Sequence, residues 1–96
     1  MSRQGGAAGN AIDAAQLGLW RLMLKLPAIR GRLQMLAARS RRLDDLFEAY
    51  EEASRTLERL RKESNLALAN EYDTVCSDIE ADVIRYVLQG SAGAPD

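Results

Sequence analysis

The carboxylates are the largest stock of reactive groups in this chain, fourteen in 96 residues, and two sets of them lie close together in sequence. Glu48, Glu51 and Glu52 form one set, and Asp78, Glu80 and Asp82 the other. Facing each other across two helices, they would supply the carboxylate half of a di-metal site. Such sites also take a Glu-x-x-His pair from each of two facing helices, and the chain has no histidine. The same absence removes the commonest general acid/base. Both sets lie mostly off the apolar stripes, so a solvated acidic face is the expectation. Asp78-Ile79-Glu80-Ala81-Asp82 alternates acids as a calcium loop does at its start, but the glycine at the sixth place and the closing glutamate are missing.

Cys76 is the single cysteine, so no intrachain disulfide can form, and a reducing, cytoplasmic setting is expected. Asp73, Asp78 and Glu80 stand close in sequence and would raise its thiol pKa, which argues for a small buried hydrophobe rather than a nucleophile. Tyr50, Tyr72 and Tyr86 fall at core or core-edge positions, with the hydroxyls expected at water. No catalytic residue, metal ligand, cofactor or small-molecule substrate is expected, and the chain reads as a non-enzyme.

The elements that would position these groups are helical. Alanine, leucine, arginine and glutamate dominate, with two prolines. Leu43, Leu46, Tyr50, Ala53, Leu57 and Leu60 recur at steps of 3 and 4, with Phe47 widening the stripe, which predicts a helix from about Leu43 to Lys62. Acids early and bases late in it complement the helix dipole. After a turn at Ser64 and Asn65, a helix is predicted from Leu66 to Leu88, stopped by Gly90. Its expected packing face is Leu68, Tyr72, Val75, Ile79 and Val83, then Tyr86 or Val87.

Upstream, Asn10 is expected to cap a helix over 11–26. From Leu17 to Leu26 only Gly18, Arg21 and Lys25 interrupt the apolar residues, and these three share one narrow stripe. A helix apolar on its other sides must be covered. Pro27 predicts a break there, followed by a short amphipathic piece through Ile29, Leu33 and Leu36. Ser40 is read as a cap for the next helix at a break near 39–41, in preference to a helix running straight through.

The expected organisation is therefore a disordered tail at 1–9, a basic leucine-rich helical segment at 10–39 kinked at Pro27, a helical hairpin at 40–89 and a flexible tail at 90–96. The fold class is all-α: an antiparallel helical hairpin preceded by an amphipathic N-terminal helix. A two-helix hairpin leaves half of each stripe wet. Further cover is expected from the N-terminal helix folding back, from a second copy in an oligomeric bundle, or from both.

Charge is divided between the halves. Residues 1–42 carry eight bases against Asp13 alone, a net +7, while residues 43–96 carry five bases against thirteen acids, a net −8. Mutual attraction of the halves, within or between chains, is the favoured reading. Beside it stand three partners for the basic segment, through Leu17, Trp20, Arg21, Leu24, Lys25, Ile29 and Leu33. These are a groove on another protein through residues 11–36, a membrane surface met by residues 16–36, and nucleic acid. The last is disfavoured, because the bases are dispersed among leucines with no recognised motif. No apolar run has the length of a spanning helix, and no signal-peptide or lipidation pattern is evident at the start.

The run Leu46-Phe47-Glu48-Ala49-Tyr50, with Leu57 and Leu60 after it, resembles the first helix of small bacterial helical-hairpin proteins of the YdcH type. Glu71-Tyr72 in the second amphipathic helix fits the same plan. The resemblance covers residues 40–88. The basic segment 11–39 has no counterpart there, and the second helix here is acidic. That family has no established activity, so the resemblance implies a hairpin and no chemistry. The expected function is that of a small interaction or scaffolding protein, self-associating through its helical seams; the alternative is a protein that binds peripherally at a membrane surface.

Overall fold

A computed structural model describes residues 13–92. Helix α1 spans Ala14–Lys25, a single 3-10 turn Pro27–Ile29, helix α2 Arg30–Arg39, helix α3 Asp44–Lys62 and helix α4 Leu66–Ala92. The described residues contain no strand, so the all-α class holds. The expected N-terminal tail and the Asn10 cap lie outside the described residues.

The helix ends follow local chemistry, with three corrections. Asp13 is extended and caps α1 itself, its carboxylate accepting from the Gln16 amide at 2.8 Å, so α1 starts at Ala14 and the helix expected over 11–26 is not continuous through Asp13. Leu26 leaves the helical region because the residue before a proline is crowded there, and Pro27 opens the 3-10 turn, as its fixed φ allows. Ser40 ends α2 in extended conformation. Its hydroxyl accepts from the Arg42 amide at 3.1 Å, so it closes a local turn instead of capping α3. Helix α3 begins after Leu43 with no side-chain cap, supported by Asp44 and Asp45 in its first turn.

Helices α3 and α4 are joined by a Schellman turn. Ser64 takes the left-handed conformation at φ 60°. The Asn65 amide reaches back to the Leu60 carbonyl at 2.9 Å and the Ser64 amide to Arg61 at 3.1 Å. Asn65 then caps α4 through its side chain. At the far end, α4 continues through Gly90 to Ala92. One glycine costs a helix only about 1 kcal/mol, and it ends one only where the backbone turns left-handed.

One apolar cluster draws on all four helices. Phe47, Leu22, Leu33, Val83 and Val87 are its largest fully buried members. Helix α3 is central, with α1 and α4 both packed on it. The expected folding-back of the N-terminal helix therefore occurs within the chain. The stripe of α3 is buried as read, at Leu43, Phe47, Tyr50, Ala53, Leu57 and Leu60, with Leu46 half-buried. On α4 the buried line is Ala69, Cys76, Ile79, Val83 and Val87. Leu68 and Val75, expected in that seam, are 40 % and 41 % exposed. Each gives way to the next residue along, Ala69 and Cys76. A narrow seam lets the smaller side chains approach α3 and rotates the bulkier ones outward.

Candidate functional site: an ion-paired groove and two exposed faces

Gly18 determines how the groove is built. A Cβ there would lie 1.8 Å from the Phe47 carbonyl oxygen. The backbones of α1 and α3 therefore touch, and the polar stripe Gly18–Arg21–Lys25 turns toward α3 and α4. Arg21 and Lys25, named above among the contacts to an outside partner, here meet acids of the same chain. Arg21 Nε donates to Glu51 at 2.6 Å and its Nη1 to Glu58 at 2.8 Å. Lys25 Nζ lies 3.6 Å from Glu80 on α4. The opposed charges of the two halves meet inside one chain.

Glu51 is the surprise of the site. Expected on a solvated face, it is 3 % exposed. Two helices packed on α3 widen its covered arc beyond the heptad stripe, and Glu51 falls within the widened part. Arg21 compensates the buried charge, and Arg55, one turn on, adds a longer contact at 3.8 Å. The sequence did carry a signal: one small and two basic residues aligned on an otherwise apolar helix.

The floor of the groove is Tyr50, Ser54 and Cys76. The Tyr50 hydroxyl donates to Glu80 at 2.5 Å, so it is engaged by a carboxylate rather than by water. Burial pushes its pKa well above the ordinary phenol value, and Glu80 adds to the shift. Cys76 is buried, 3.8 Å from the Ser54 hydroxyl. Burial likewise pushes its thiol pKa up, Glu80 and Asp73 contribute, and Ser54 offsets part of the rise. The Arg21 guanidinium holds the Glu58 carboxyl below its usual range.

The open volume over these residues is about 150 Å³. Its charged groups are matched to one another: Arg21 with two carboxylates, Glu80 with Lys25 and a phenol. Its phenol and thiol are both held in the neutral form. Such a lining binds helices together and presents no poised base or nucleophile. Among the described residues, no group of three or more histidine, cysteine, aspartate or glutamate side chains is arranged to hold a metal ion.

The remaining site residues divide by exposure. Leu33, expected to meet a partner, is wholly buried, and Ile29 packs against the core. Leu17 is half-buried. Trp20 and Leu24 stay outside, 43 % and 79 % exposed, along the outer edge of α1. On α4, Tyr72 packs at the edge of the core while Leu68 and Val75 look outward beside the exposed acids Glu71, Asp78 and Asp82. On α2, Arg30, Arg32, Gln34, Met35, Ala38 and Arg39 are exposed, and Arg32, Met35 and Arg39 share one stripe of that surface. No described helix is long and apolar enough to cross a membrane.

No family model, no curated protein and no solved structure matches this chain.

Proposed function

We propose that this chain is a non-enzymatic helical interaction or scaffolding module, with α3 and α4 forming an antiparallel hairpin of the YdcH type and α1 and α2 clasped onto it. The observation that carries the reading is the contrast between the groove and the outer faces. The titratable groups that converge in the groove neutralise one another, while large apolar side chains remain outside at helical spacing. Self-association through those outer faces is the function proposed, in a cytoplasmic setting. The α3 stripe is engaged within the chain, so what is left for a second copy is Leu66, Leu68, Val75 and Leu88 on α4, Met35 on α2, and Trp20 and Leu24 on α1. Light scattering of the full chain tests it. Twice the 10.6 kDa chain mass or more is expected, and a monomer at all accessible concentrations would sink the proposal.

A membrane-surface reading has one observation in its favour: Trp20 and Leu24 are exposed on the same side of α1. Arg21 and Lys25, which would have supplied its cations, are committed to Glu51, Glu58 and Glu80. Trp20 emission should therefore not shift when vesicles of anionic lipid are added, and a blue shift would restore the membrane reading.

A further inference from the structure

We propose that a second copy of this chain docks the outer face of its α2 antiparallel on the outer face of α4; this rests on the self-association reading and names the surfaces that carry it. On α2, Arg32, Met35 and Arg39 follow one another at steps of 3 and 4, all exposed, with Met35 60 % so. On α4, Glu71, Val75 and Asp78 follow at steps of 4 and 3, again all exposed. Run antiparallel, the two spacings coincide. Arg32 then meets Asp78, Met35 meets Val75, and Arg39 meets Glu71. Each charge pair is seven residues apart on its helix, about 10.5 Å at 1.5 Å per residue, so both ends of the contact register together.

Three further observations point to a second copy as the occupant. Among the described residues, none of Arg32, Arg39, Glu71 and Asp78 forms an ion pair within the chain, although eight other pairs do form. The space beside Gly31, one position before Arg32 on α2, is open, with no side chain beyond its chain neighbours and no other element within 4 Å of where a Cβ would stand, so another helix can approach closely. Leu68, two turns before Val75, extends the apolar line on α4. A single docking of two short faces is small. A two-fold dimer makes it twice, each copy giving one α2 face and one α4 face.

The test uses the full chain and two variants, R32E/R39E and E71R/D78R, both at exposed positions where folding should be unaffected; circular dichroism verifies equal helicity. Sedimentation or light scattering should give two chains for the wild type, dissociating as salt rises. Each variant alone should dimerise at least tenfold more weakly, because like charges then oppose. An equimolar mixture should recover the mass of two chains, since reversal on both faces restores opposite signs. A self-associating wild type whose mass is untouched by either variant overturns this pairing and leaves the scaffold reading standing. Variants that are both monomeric and stay so when mixed also overturn the pairing. A monomeric wild type overturns both readings, and a monomer that sediments with anionic vesicles assigns the arginine face to a lipid surface instead.

Discussion

Glu51 and Tyr50 show how single side chains commit this molecule. A carboxylate 3 % exposed is tolerated because Arg21 meets it at 2.6 Å. Glu51→Gln keeps the shape and removes the charge, leaving Arg21 with Glu58 alone. Arg21 is partly exposed and keeps Glu58, so the change weakens one charge-assisted bond at a cost of about 1–2 kcal/mol, and the urea midpoint should fall while the helical content of the folded form is kept. Tyr50 makes a prediction in pH. Its folded pKa is raised, so the proton is held more tightly in the folded chain than in the unfolded one. The stabilisation is fully present below the unfolded phenol value of about 10 and is lost as pH rises through the higher folded value. Tyr50→Phe should cost about 1–2 kcal/mol at neutral pH by removing the bond to Glu80. The variant should also lose less further stability than the wild type between neutral and strongly alkaline pH, as read from denaturation midpoints. Neither role was visible beforehand: the stripe at 43–60 marked Tyr50 as core but said nothing of Glu80, thirty residues on.

At the scale of the element, two glycines of the same composition do opposite work. Gly18 lies where α1 crosses α3, with no room for a methyl group beside the Phe47 carbonyl. Gly18→Ala must push the helices apart and should destabilise by at least about 1–3 kcal/mol. Gly31 sits on α2 with open space around it. Gly31→Ala should stabilise by about 0.5–1 kcal/mol, through helix propensity and a less flexible unfolded chain. Thermal melts of the two variants should move in opposite directions. Reading Gly31 as a weak point of α2 was within reach of propensity alone. The close approach at Gly18 was not, because it depends on which helix lies opposite.

At the scale of the whole molecule, α1 and α2 complete the core. Leu19, Leu22 and Leu33 bury themselves against the residues of α3 and α4, and the ion pairs of Arg21 and Lys25 tie the basic half to the acidic half. Removing residues 13–39 would uncover Leu43, Phe47 and the groove face of α3. The shortened chain is expected to lose its cooperative thermal transition or to aggregate, whereas a self-sufficient pair of helices would melt cooperatively. Calorimetry of the two lengths distinguishes these outcomes.

Helix type, the break before Pro27, the turn at Ser64–Asn65 and the core stripe of α3 were all legible in the residues. Each rests on local chemistry: propensity, a missing amide hydrogen, a cap, a 3–4 periodicity. The polarity of α1 was not legible. With apolar residues on most of its surface, its facing side depends on where another helix can come near, and Gly18 allows that only on the stripe that carries Arg21 and Lys25. From that one contact follow the burial of Glu51, the exposure of Trp20 and Leu24, and the closing of opposite charges inside the chain. On α4 the one-residue shift from Leu68 and Val75 to Ala69 and Cys76 has the same origin. Periodicity locates an apolar arc to within a neighbouring position, and only the distance to the helix opposite selects which side chain enters.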